Sequence, residues 1–166
     1  MQDFLNTAPP GRGRGDDLLA TEASAQAWID DALVDRPRSE VPRITSRDLL
    51  ELRRLREALR RLVTSAGSSA APASKWDIEV SATLDQAGHV QLLPIGANWK
   101  YVGSLLLIET RIAQEQGVWE RLKTCRNDSC TWAFYDDSPA NQQRFHSAAG
   151  CGDAQGDAPA LSSTTA

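Results

Sequence analysis

Cys125, Cys130, His146 and Cys151 stand in the pattern C-x4-C, a gap of fifteen residues, then H-x4-C. Zinc binds four soft or borderline donors in a tetrahedron, and two close pairs of thiolate and imidazole ligands from short segments supply that set. All three cysteines of the chain and one of its two histidines are used. Isolated buried thiols beside a surface histidine are the competing reading, and the paired spacing favours the metal. Four protein donors close the coordination sphere without a water, so the expected ion is structural Zn2+, not catalytic.

These ligands need elements to hold them. Thr131-Trp132-Ala133-Phe134-Tyr135 is rich in aromatic and β-forming residues, which places Cys130 on a turn entering a short strand. Asp136-Asp137-Ser138-Pro139 reads as a helix start, with Ser138 as N-cap and Pro139 in the first turn. That helix is expected to carry His146 on its last turn, to stop at Gly150, and to leave Cys151 just beyond. Asp136 and Asp137 could form an acid/base pair, but a helix N-terminus favours acids electrostatically, and capping is the simpler role.

No other constellation suggests catalysis. His89 follows a predicted turn and reads as a surface residue. Asp3, Asn6 and Thr7 are the better pocket candidates, because short polar side chains beside Phe4 and Leu5 either orient a small-molecule ligand or satisfy the backbone of a buried first strand. Gly11-Arg12-Gly13-Arg14-Gly15 lacks the flanking strand and helix of a phosphate-cradling loop and reads as a linker.

Thr21 caps a predicted helix to about Val34, with Trp28, Ile29, Ala32 and Leu33 on one face. Ser46 opens the strongest helix, to about Val63, whose apolar stripe is Leu52, Leu55, Leu59 and Leu62. Its other side sets Arg47, Arg53, Arg54, Arg56, Arg60 and Arg61 against Asp48, Glu51 and Glu57. That side is either a surface for an anionic partner or a solvated face, and the interleaved acids favour the second. After a connector at 67–74, Trp76, Ile78 and Val80 alternate with polar residues as in a half-buried strand, and Asp85-Gln86-Ala87-Gly88 turns it into a second strand at 89–93. Asn98 to about Gln116 forms another long helix burying Val102, Leu105, Leu106, Ile112 and Ala113.

The stretch from Arg121 to Gly152, with Arg121-Leu122-Lys123-Thr124-Cys125-Arg126-Asn127 leading into Cys130-Thr131-Trp132-Ala133-Phe134-Tyr135-Asp136, resembles the CGNR-type zinc finger. Asp3-Phe4-Leu5-Asn6-Thr7 is similar to the opening of the ABATE domain, the α/β module that precedes this finger in stress-induced transcriptional regulators. The resemblance implies transcriptional regulation, with the N-terminal part as sensor or assembly domain and Arg121, Lys123, Arg126 and Arg144 as the residues nearest DNA. Two departures qualify it. His146 stands where the family has a cysteine, which zinc accepts equally well. The family's Cys-Gly-Asn-Arg and basic helix are replaced by Cys151-Gly152-Asp153-Ala154 and a tail of small residues, with no Lys or Arg after Arg144. Cationic neutralisation of phosphates supplies most nucleic-acid affinity, so weakened DNA binding is expected.

Composition agrees: net charge is −4 and the isoelectric point about 5.2, opposite to a typical DNA-binding domain. The aliphatic run from Leu105 to Ile108 is too short to cross a membrane and the start is unlike a signal peptide, so a cytoplasmic location suits the thiolates. The overall expectation is an α+β fold, helices packed on a small hairpin with a zinc knuckle following. Its divisions are an ABATE-like domain at 1–117, a finger at 118–152 and a disordered tail at 153–166. A small-molecule-binding protein or an enzyme that reuses the fold is the second functional reading, and a homodimer is left open.

Overall fold

Residues Gln2–Leu5 form a single helical turn, α1, where a buried strand was expected. The Asn6 N–H reaches back to Gln2 O at 3.0 Å and that of Leu5 to Met1 O at 3.2 Å, so the local bonds are helical while Phe4 and Leu5 still enter the core. The structure, a computed structural model, describes residues 1–11, 15–64, 75–147, 149 and 151. Residues 12–14 of the linker expected at 11–15, the whole connector at 67–74, the helix stop at Gly150 and the tail at 153–166 lie outside that set.

Thr21 begins α2, Glu22–Ala32, with a reciprocal cap. The Ser24 N–H donates to Thr21 Oγ1 at 3.1 Å and the Thr21 N–H to Ser24 Oγ at 3.2 Å, which satisfies two donors a helix start leaves open. In α3, Ser46–Thr64, the buried stripe is Leu49, Leu52, Leu55, Leu59 and Val63. Leu62, assigned to the stripe from spacing, is turned outward and 39% exposed. Asp48 fixes the start of this helix: buried, it accepts from the N–H and the hydroxyl of Thr45 at 2.8 and 2.6 Å.

The arginine-bearing side of α3 is not uniformly solvated. Arg56 is buried and forks onto both carboxylate oxygens of Asp17 at 2.7 Å while donating to Thr7 Oγ1 at 3.0 Å. Burial opposes ionisation of Asp17, but the guanidinium and the Leu19 N–H outweigh it and hold that carboxyl below its usual value.

β1, Val80–Leu84, and β2, Val90–Pro94, form an antiparallel hairpin with Val80 opposite Pro94 and Leu84 opposite Val90. Residues 75–79 lie outside the paired strand, which begins later than its alternation suggests; Trp76 and Ile78 are half-buried and Val80 is exposed. β2 packs on α4, Trp99–Glu115. Gly103 of α4 lies against Ile78, where an added Cβ would meet Ile78 Cδ1 at 2.6 Å. Ser104, one residue on, donates to Glu79 O and accepts from the Ile95 N–H, tying both ends of the hairpin to the helix. Tyr101, Val102, Leu106 and Ile108 are the buried large apolar residues of α4, whereas Ile112 is 45% exposed.

A short 3-10 turn, Trp119–Arg121, leads into β3, Leu122–Thr124, which pairs antiparallel with β4, Ala133–Tyr135. Leu122 and Ala133 join the same buried cluster as Phe4, Ile29, Leu52, Leu59 and Val102. The fold is α+β, with helices on two small antiparallel sheets among the described residues.

Candidate metal centre

The β3–β4 hairpin aims Cys125 and Cys130 at one point. The Cys125 N–H donates to Trp132 O at 2.9 Å, continuing the ladder of β3 by one step, and Cys130 N–H donates to Asn127 O at 2.8 Å, closing a tight turn between the two thiols. Asn127 organises that turn: its buried side chain accepts from the Ser129 N–H at 3.0 Å and hydroxyl at 2.7 Å, and its amide nitrogen reaches Cys151 O at 3.4 Å. The Trp132 N–H points at Cys130 Sγ at 3.5 Å, a donor that stabilises a thiolate. The second pair is brought in by the Arg126 N–H donating to Arg144 O at 3.0 Å.

One donor atom from each of Cys125, Cys130, His146 and Cys151 lies within 4.8 Å of all the others. The Cys130 Sγ to His146 Nδ1 distance is 3.6 Å. A tetrahedron with arms of about 2.3 Å to sulfur and 2.05 Å to nitrogen has a sulfur–nitrogen edge of about 3.6 Å, so this edge has the length zinc requires. The thiols also fit a cation by charge. Burial, then the crowding of Cys125 and Cys130, pushes the Cys151 thiol up to about 12, and burial likewise raises Cys130. Three thiolates this close are unstable without a divalent ion among them. The set therefore forms a structural zinc site, and Zn2+ is the cofactor.

The predicted helix between Asp136 and His146 does not form. Asp136, fully buried, gathers the segment into a loop instead. It accepts from the Ser138 N–H and hydroxyl at 3.0 and 2.5 Å, from the Gln143 N–H at 2.8 Å and from Lys123 Nζ at 2.5 Å. Burial works against the charged form of Asp136, but these donors win and hold its carboxyl well below the usual range. The Asx-type bond from Asp136 to Ser138 competes with helix initiation at the same residues, and Lys123 adds a fourth donor to the loop arrangement.

Of the four cations nearest DNA by resemblance, two are turned inward. Arg121 donates to Asp136 O and Ser138 O, both at 2.9 Å, and Lys123 is held by Asp136 and by Asn141 O at 2.7 Å. Arg126 and Arg144 are exposed, the latter with its guanidinium 5.5 Å from the centre of the Phe145 ring. A cleft of about 1080 Å³ between the end of α3 and the finger loops is lined by Lys123, Arg126, Arg144 and Arg60. Sequence reasoning missed Arg60 here: it bonds Leu5 O at 2.6 Å and also Thr131 O, so its cation clamps α1 to the finger.

Asp3, Asn6 and Thr7 face different neighbours. The Asn6 carboxamide makes a paired contact with the backbone of Ala133, donating to its carbonyl at 2.9 Å and accepting its N–H at 2.8 Å. Thr7 is fully buried, donating to Phe4 O at 2.7 Å and accepting from Arg56. Asp3 alone is exposed, on the other side of α1. His89 is exposed at the hairpin turn, 3.3 Å from Asp85. No described helix is long and apolar enough to cross a membrane.

Comparison with known proteins agrees with this geometry. Residues 1–101 match the ABATE family, described as "Putative stress-induced transcription regulator", and residues 121–158 match the CGNR zinc finger. No curated protein matches the chain. Because the first model alone covers more than half of the 166 residues, and the four zinc ligands converge inside the second, the chain belongs to the ABATE family and carries a CGNR-type zinc finger.

Proposed function

We propose that this protein is a regulator-type member of its family in which zinc builds the finger and the finger contacts DNA only weakly. The fate of the finger's cations carries the reading: Arg121 and Lys123 hold the Asp136 loop together, which leaves Arg126 and Arg144 as the exposed pair of the four. The net charge of −4 and the stretch from 145 to 166 without Lys or Arg support it. Salt dependence measures how many phosphates are neutralised. With two contributing cations, the slope of log K against log salt on random duplex DNA is expected near −2. Fluorescence anisotropy across a salt series tests this. A slope of about −6, falling to about −4 in the Arg126→Ala, Arg144→Ala double variant, would restore a strongly DNA-binding finger. In this reading residues 1–117 form the sensing or assembly part and 118–152 the finger. A small-molecule-handling role for the first part is favoured by a cavity beside Asp3.

A further inference from the structure

On the side of α1 away from the finger, a cavity of about 130 Å³ opens between α1, α2 and α4. Phe4, Trp28, Ile29, Val102 and Leu106 form its apolar walls. The space is open to solvent along its rim, and its volume is close to that of apolar cavities that take up a benzene-sized molecule. The rings of Phe4 and Trp28 stand 5.8 Å apart at 44°, a tilted pair whose faces and edges suit a third ring.

The rim is acidic. Two carboxylates, Asp3 and Glu109, stand among the lining residues, and no Lys or Arg does among the described residues. Glu109 already accepts the amino group of Met1 at 2.6 Å. Asp3 is exposed and has no hydrogen-bond or ion-pair partner among the described residues. An unpartnered carboxylate beside an apolar floor favours a molecule with an apolar end and a cationic end, and disfavours an anion.

We propose that this cavity binds a small aromatic or branched-alkyl amine, with the hydrocarbon among Phe4, Trp28 and Leu106 and the ammonium at Asp3. The site goes beyond the DNA reading, because none of its residues takes part in the finger's cation network. Its position suits a sensing module: α1 forms one wall of the cavity and is held on its other side by Asn6 and Arg60 to the finger.

The test uses the zinc-loaded full chain titrated with 2-phenylethylamine, toluene and phenylacetate and followed by backbone amide NMR shifts. The amine is expected to give saturable shifts in α1, α2 and α4 with a Kd on the order of 1 mM, as suits a ligand of so few atoms. Phenylacetate is expected to bind at least about tenfold more weakly, because it brings a like charge to Asp3. Asp3→Asn, at an exposed position, should weaken the amine about threefold and leave toluene unchanged. Ala32→Phe, which fills the cavity from its exposed edge, should abolish both while zinc content and helicity stay native; if helicity falls, Leu105→Phe from the opposite wall takes its place. Absent saturation by the amine, equal binding of phenylacetate, or an Asp3→Asn variant that binds the amine unchanged would each overturn the proposal. So would a dimer that Ala32→Phe converts to monomer, since a second copy would then be the occupant.

Discussion

Asn6 does with one carboxamide what a neighbouring strand would do with its backbone. Its donor and acceptor match the carbonyl and N–H of Ala133, so the outer edge of β4 is satisfied by a side chain from the far end of the chain. Each such bond contributes about 0.5–1.5 kcal/mol, and leaving backbone groups unpaired adds a penalty. Asn6→Ala is therefore expected to lower unfolding stability in urea by about 1–3 kcal/mol with zinc content unchanged. An unaltered midpoint would mean that water replaces the carboxamide. The metal ligands were legible in the sequence because their spacing is local and the chemistry of thiolate and imidazole is specific. The roles of Asn6 and Thr7 were not, because polar side chains beside apolar ones suit a ligand and a buried backbone equally well, and the partners, Ala133 and Arg56, are distant in sequence. Asn127 left a usable sign: an Asn two residues before a Ser is the signature of the Asx-type turn it makes.

The elements of the finger are short, and their shape depends on what crosses them. Gly11 pairs with Cys130 in an isolated bridge, and an added Cβ there would stand 2.4 Å from the backbone oxygen of Ser129. Backbone cannot yield as a flexible side chain would, so Gly11→Ala must displace the turn that carries the second thiol. Overpacking of this kind costs about 1–3 kcal/mol, and a shift of 1.4 kcal/mol in zinc affinity is about tenfold. Competition with a chelating dye is expected to show that loss; wild-type affinity in this variant would mean the loop relaxes freely. The helices α2, α3 and α4 were read from sequence nearly to their ends, because each carries a 3.6-residue apolar period and a terminal signal such as Thr21. The expected helix after Ser138 failed although its start signal was sound. Asp136 takes the Gln143 N–H that a helix would have bonded to Pro139 O, and no apolar stripe follows to favour helix over loop.

Across the whole molecule, one buried cluster runs from Phe4 through Leu52 and Val102 to Leu122 and Ala133, so the finger is packed into the core and not hung from it. Zinc then acts on more than its own loop. Chelation, or Cys151→Ser, is expected to release one zinc per chain and to speed amide exchange in β3, β4 and α1 together, while α3 and α4 stay helical. Exchange in α1 that stays slow after metal loss would show that α3 alone holds it. The tie between the two ends has a further consequence in time. Asn6 and Ala133 are separated by 127 positions, and a ribosome adding about 5–20 residues per second delivers the second roughly 6–25 s after the first. The helical pairs of the middle have ample time to associate in that interval, whereas α1, with Phe4 and Leu5 lacking part of their cover, waits for the last quarter of the chain. Synthesis thus makes the α1 turn, although made before its partners, among the last pieces to be locked in place.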